Sequence, residues 1–273
     1  MAYDVLIKAG TVIDGSGRAP FLADVGIKDG KIAAVGDLGT SAAEKTINAF
    51  DKYVVPGFID ITNHSDTHLT IFKYPNQGSM LMQGVTTIIG GNCGASLAPL
   101  ARKESLEVIR KWADLSEAGV NWTDVGGFLE SVGKMRLGVN FGTFIGHDTL
   151  RRGVIGDESR SLNYEEIQKV KFLLTEGLKS GAFGLSLGLA YGHEKVVTTE
   201  EIIEIARLVG EAGGIIKIHL RSEGREILAG VNEAIRIGRE TNASIQISHL
   251  KTIGRKAWEF MPEVLQLIDQ ARN

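Results

Sequence analysis

The stretch GIIKIHLRSEG, residues 214–224, is a short apolar run that ends in a histidine, His219, and opens into a charged turn. An unbroken apolar run of this length, bounded by glycine, suits a strand buried on both faces. The pattern returns one strand-and-helix unit later in SIQISHL, residues 244–250, which ends in His249. A third run, TTIIGGNCG, residues 86–94, ends in Cys93, the single cysteine of the chain. Three strands of the buried kind thus each deliver a zinc-type donor at the C-terminal end. Parallel α/β barrels build their active sites at that end.

Working outward, residues 54–273 alternate between strand and helix patterns. The expected strands are VVPGFID (54–60), VTTIIGG (85–91), VNFGTFIGH (139–147), AFGLSLG (182–188), GIIKIHL (214–220) and SIQISHL (244–250). Between them, helices are expected over 71–83, in a mostly helical excursion over 101–133 containing Trp112 and Trp122, and over 164–179, 226–239 and 258–272. Thr198 and Glu201 open another as a capping box. Six such units in order imply a parallel sheet with right-handed crossovers. A closed eight-unit barrel takes roughly 250 residues by itself, so the expectation is an incomplete TIM-type (β/α)8 barrel over 54–273. Residues 1–53 hold glycine-separated strand runs and an Asp29-Gly30 hairpin signal. They are expected to form a small antiparallel β-domain.

Composition narrows the class. Hydrophobic residues make up 43% and charged residues 23%, ordinary for a globular protein. A formal charge of −3 gives no reason to expect a nucleic-acid or membrane partner. The N-terminal MAYDVLIKAG has no signal-peptide pattern, and no apolar stretch is long enough to span a bilayer. A single cysteine forms no intrachain disulfide. The expected location is cytoplasmic.

Cys93, His219 and His249 are the candidate metal ligands. Zinc accepts thiolate and imidazole, and a catalytic site keeps one position open. His64, after the first strand, is a fourth candidate, with Asp66 close by. His68 and His193 read as surface loop residues, and His147, at a strand end, either orients substrate or caps a loop. Lys251, following His249, is placed to pair a substrate carboxylate as a point charge. Arg221 and Glu223, after His219, read either as substrate-binding residues or, more simply, as a salt bridge across the turn. Tyr191 either lines a pocket or covers the rim.

Six segments together resemble the amidohydrolase superfamily and, within it, the N-acyl-D-amino-acid deacylases. They are ADVGIKDGKIAAVGD (23–37), VVPGFIDITNHSD (54–66), QGVTTIIGGNCGASLAPL (83–100), GHDTLRRGV (146–154), KIHLRSEG (217–224) and SHLKTIG (248–254). The resemblance implies a zinc-dependent hydrolase that cleaves the amide of a small N-acyl-D-amino acid to a carboxylate and a D-amino acid. It implies Cys93, His219 and His249 as ligands of a tightly held zinc. It matches His64 to the second histidine of a His-x-His motif, and Lys251 and Tyr191 to positions near the substrate. The first histidine of that motif is here Thr62, which weakens a second metal site. The resemblance also implies a catalytic aspartate after an eighth strand and a composite β-sandwich of which residues 1–53 are the N-terminal half. The aspartate and the sandwich's later strands would lie beyond the last residue of this sequence, so this chain alone is expected to have little or no activity. The rival readings are a cyclic-amidase or dihydroorotase-like hydrolase, and a non-catalytic fragment or one subunit of a split enzyme, paired with a complementary C-terminal chain or with itself.

Overall fold

The computed structural model describes residues 2–110, 113–114 and 119–272; Trp112 lies outside them. The chain divides into two compact units, Met1–Phe58 and Ile59–Asn273.

In the first unit, β1 (Tyr3–Val12), β2 (Phe21–Lys28), β3 (Lys31–Gly36), β4 (Ala43–Asn48) and β5 (Tyr53–Val54) form one sheet, ordered β3-β2-β1-β4 with β5 also on β1. Asp29 and Gly30 both take positive φ, 51° and 69°, as a two-residue hairpin between β2 and β3 requires. The sheet is not wholly antiparallel as expected, because β4 and β5 run parallel to β1. The chain leaves edge strand β3, crosses to the far side of β1 and enters β4 in the direction of β1. All five strands belong to this one sheet, so a second sandwich layer is not found among the described residues. Its core gathers Val12, Ala23 and Val25, with Ile7, Phe21 and Val54 against them.

The expected strand 54–60 is broken at Pro56. Val54 pairs with β1, and only β6 (Phe58–Asp60) joins β7 (Val85–Gly90). Proline has no N–H to give to a ladder, so pairing stops there. The expected helix over 71–83 is two single turns, α1 (Thr70–Lys73) and α2 (Gly78–Leu81), separated at Pro75. In the excursion that follows β7, the regular elements among the described residues are a 3-10 segment at Lys103–Ile109 and α3 (Val125–Lys134). Trp122 is buried there and donates its indole N–H to the Leu97 carbonyl at 2.7 Å.

The expected strand 139–147 is also two pieces, β8 (Asn140–Thr143) and β9 (Ile145–Gly146). At the Phe144 break the N–H of Phe144 bonds Gly90, while the Thr143 carbonyl accepts from Phe183. This lets β8 pair with β7 while β9 pairs with β10 (Gly184–Gly188). After β9 come α4 (His147–Ile155) and α5 (Tyr164–Lys179), and after β10 comes α6 (Thr199–Glu211). Then follow β11 (Ile215–His219), α7 (Ile227–Thr241), β12 (Ser244–Ile247), a 3-10 segment at Arg255–Phe260 and α8 (Met261–Arg272). The ladders β7–β8, β9–β10, β10–β11 and β11–β12 are all parallel.

Ile88, Ile145, Leu185, Leu187, Ile216 and Ile218 are wholly buried, because helices cover what the strands do not bury among themselves. Val170 and Leu174 of α5, Ile202, Ile205 and Val209 of α6, and Val231 and Ala234 of α7 supply that cover. The capping box at α6 is only half formed. Thr198 accepts from the Glu201 N–H, but the Glu201 carboxylate turns inward to Arg151 and the Leu162 N–H. A buried guanidinium needs that carboxylate more than an exposed helix end does.

Candidate metal centre

The loop after β7 sets Cys93 in place. Cys93 itself has a positive φ of 56°, flanked by Gly91 at 70° and Gly94 at 80°. A Cβ on Gly91 would fall 2.0 Å from the Phe144 carbonyl oxygen, and one on Gly94 would fall 2.0 Å from a Glu194 carboxylate oxygen. The GGNCG sequence is therefore what lets the chain turn tightly enough to aim the thiol back over the strand ends. Asn92 pins the turn through its side-chain N–H groups, which donate to the carbonyls of Asn63 and Ile89 at 2.7 Å each. His219 is the last residue of β11. His249 follows β12 at a φ of 36°, which turns its ring toward Cys93.

The three side chains meet. One donor atom from each of Cys93, His219 and His249 lies within 4.8 Å of the others. Cys93 Sγ is 3.7 Å from His249 Nε2 and 3.8 Å from His64 Nε2. The imidazoles of His219 and His249 pack edge to face with centroids 4.5 Å apart. One soft sulfur and two nitrogens from rigid strand ends fit zinc, and a tetrahedral ion would keep a coordination position for another ligand.

Glu223 is where the structure corrects the sequence reading. Arg221 does not pair with it but binds Glu233 at 2.8 Å. Glu223 is buried against the centre. It lies 3.0 Å from His249 Nδ1, 3.9 Å from His219 Nε2 and 2.6 Å from the Lys251 ammonium. By accepting the Nδ1 proton of His249, Glu223 leaves Nε2 with its lone pair toward Cys93, as an outer carboxylate does for a metal-bound histidine. Tyr191 packs on His219 with ring centroids 4.8 Å apart and its hydroxyl 3.4 Å from Nδ1.

A lysine the sequence reading passed over completes the group. Lys217, two residues before His219 on β11, is fully buried. Its ammonium donates to the Ile61 carbonyl and to Thr62 Oγ1, the latter at 2.9 Å. Its place inside an apolar strand, KIHL, was the available signal, since an unpartnered buried lysine is rare.

The electrostatics follow from burial. Burial pushes the Cys93 thiol up to about 11, partly offset by the Lys217 charge. Burial lowers His219, and lowers His64 with help from the charges of His68, His249 and Lys217. Burial brings the Lys217 ammonium down to about 8. Two neutral imidazoles offer lone pairs, and a divalent cation would supply the charge that a buried thiolate needs.

The remaining predicted residues lie elsewhere. Asp66 is wholly buried and accepts the Gly91 N–H at 2.7 Å, and burial raises its carboxyl to about 6. It braces the Cys93 loop rather than joining the donors. His68 is exposed. His193, read as an exposed loop residue, is instead buried beside Asp148 at 3.3 Å, because the turn that carries Tyr191 folds inward. His147 is buried with Nδ1 2.6 Å from Glu194.

No family model matches the chain. Curated relatives do. The chain is 38% identical over 271 residues to a D-aminoacylase of Alcaligenes xylosoxydans xylosoxydans, covering 98% of this chain and 55% of that protein. It is 34% identical over 271 residues to an N-acyl-D-aspartate deacylase of the same organism, covering 98% and 53%. Among solved structures, a D-aminoacylase studied for its binuclear metal centre, with one-metal activation and second-metal attenuation, aligns with a TM-score of 0.91. It is 37% identical, over 99% of this chain and 56% of that one. An N-acyl-D-glutamate deacylase from Bordetella bronchiseptica, complexed with zinc and a phosphonate mimic of the tetrahedral intermediate, aligns at 0.90 with 32% identity, over 100% and 56%. An L-hydantoinase from Arthrobacter aurescens, 19% identical with a TM-score of 0.60, shares the fold. The chain is closely homologous to the D-aminoacylases and N-acyl-D-amino-acid deacylases of the amidohydrolase family. It spans about half the length of the relatives it matches. Among the described residues, no helix is long and apolar enough to cross a membrane.

Proposed function

We propose that this protein is a zinc-dependent amidohydrolase that cleaves the amide bond of small N-acyl-D-amino acids, releasing a carboxylate and a D-amino acid. The α/β unit is read as part of a TIM-type barrel and the N-terminal sheet as part of its companion β-domain. Cys93, His219 and His249 hold the zinc, with His64 at its edge. The observation that carries this reading is one thiol and two imidazoles converging within 4.8 Å from three strand ends, in a chain whose relatives are deacylases.

Bound zinc supplies Lewis acidity at this end of the sheet, suited to a scissile carbonyl. The chain's own residues do the rest. Glu223 fixes the His249 ring and at the same time holds the Lys251 ammonium at 2.6 Å. Lys251 is about half exposed, with 47% of its side chain open to solvent, and serves as the counter-charge for the substrate's α-carboxylate. Tyr191 presents its ring edge and hydroxyl beside His219, where it positions the acyl group and excludes water. Glu223 is held by three cationic or imidazole partners and is not free to act as general base.

The test is hydrolysis of N-acetyl-D-amino acids by the intact protein, with zinc counted in the same samples. The expected result is turnover of the D but not the L enantiomer, lost on chelation and restored by zinc, with about one zinc per chain that disappears in Cys93→Ala. Full zinc content in Cys93→Ala and His219→Ala, or equal turnover of both enantiomers, would overturn the reading.

A further inference from the structure

We propose that the Lys217 ammonium takes the place of a second metal ion at this centre, so that the chain holds one zinc and not two. The inference rests on the zinc reading above and concerns the side of the centre formed by the end of β6.

Lys217 and His219 are two residues apart on β11, so their side chains leave the same face of the strand. The lysine is fully buried, and its ammonium donates to the Ile61 carbonyl and to Thr62 Oγ1. Both acceptors belong to the segment just after β6 that also carries His64. His64 Nε2 in turn lies 3.8 Å from Cys93 Sγ. The Ile61 carbonyl and the Thr62 hydroxyl thus face one point beside the segment that carries His64, and a cation covalently fixed to β11 already occupies it. The Phe144 ring closes one side, its centroid 5.8 Å from the ammonium.

The chemistry of the two residues is matched. A histidine at position 62 would aim a nitrogen at an exogenous ion, whereas Thr62 is an acceptor for a donor that the chain itself brings. A divalent ion set beside the ammonium would meet like charge in a site shielded from water, where repulsion is strong. A D-aminoacylase with a binuclear centre and second-metal attenuation is among the chain's structural relatives; here a side chain stands where a second ion would sit.

The experiment is a zinc titration of metal-stripped intact protein, with bound metal counted after free ion is removed. Wild type is expected to hold one zinc per chain through roughly tenfold excess, and Thr62→His to remain near one because the ammonium persists. Thr62→His combined with Lys217→Ala is expected to take up a second zinc about a hundredfold more tightly than Thr62→His alone. Retention of the first zinc at wild-type affinity shows that the variant is folded. If the alanine variant loses it, Thr62→His with Lys217→Met repeats the test with the side-chain volume kept. Two zinc ions in the wild type, or one in a combined variant whose first zinc is intact, would overturn the inference alone. No zinc in the wild type, or undiminished zinc in Cys93→Ala, would overturn the metal reading on which it stands.

Discussion

His219 and His147 both stand at the C-terminal ends of parallel strands, yet they are in different chemical situations. His147 follows β9 and is sealed against Glu194, Nδ1 to carboxylate 2.6 Å, with both side chains buried. Glu194 also accepts the Gly188 N–H at 2.5 Å, so this pair ties the end of β10 to α4. His219 has looser polar neighbours, the Tyr191 hydroxyl at 3.4 Å and Glu223 at 3.9 Å, and it shares its space with a thiol and a second imidazole. A strand-end histidine is available to a metal where other donors face it. It is structural where the following turn delivers a buried carboxylate to it. The difference lies in the turns after β10 and β11 and not in the strands.

The largest expected effect separates the two histidines. His219→Ala or His249→Ala should abolish tight zinc binding in protein that still folds. His147→Ala should keep one zinc in the folded fraction while losing about 3–5 kcal/mol of stability, because Glu194 is left buried with only the Gly188 N–H to satisfy it. Metal content beside denaturant unfolding checks both, and zinc loss in folded His147→Ala would break the comparison.

Next is Glu223→Gln. It leaves the donors in place but replaces the carboxylate that orients His249 and holds Lys251 with a neutral amide, and should weaken zinc roughly 10–100-fold in chelator competition. An unchanged affinity would mean that Glu223 only anchors Lys251.

The pH dependence is smaller. With the Cys93 thiol pushed up to about 11 by burial, it is protonated near neutrality, and binding zinc displaces that proton. Apparent affinity should therefore rise with pH, about tenfold per pH unit between roughly 6 and 8. His219, whose pKa burial lowers, is already neutral there and adds nothing to the slope. A flat profile would argue against a thiolate ligand.

The smallest effect is expected at Lys251. Lys251→Met should raise KM for an N-acyl amino acid roughly tenfold, the worth of one charge-assisted contact, without changing zinc content. Loss of zinc instead would place Lys251 in the support of the metal and not in substrate binding.

Much of the α/β order could be read from apolar runs and helix caps. The helix at Tyr164–Lys179 matches its expected range because Asn163 and Glu166 close a capping box at its start. The breaks at Pro56 and Phe144 were not legible as topology. Where a strand changes neighbours depends on which partner carbonyls lie beside it, and sequence spacing does not record that. At the site, Cys93, His219 and His249 stood out because each ends an apolar run. Glu223 did not, since a carboxylate in a charged turn looks ordinary until the chain folds, and Lys217 was passed over although its place inside an apolar run is a signal. The burial of His193 likewise depends on a turn folding inward, which polar loop composition conceals.

X-ray absorption at the zinc edge of the loaded wild-type protein tests the central claim most directly. One sulfur scatterer at about 2.3 Å with nitrogen or oxygen scatterers at about 2.0–2.1 Å is the predicted shell, the sulfur disappearing in Cys93→Ala. A shell of nitrogen and oxygen alone in the wild type would contradict a zinc held by Cys93, His219 and His249.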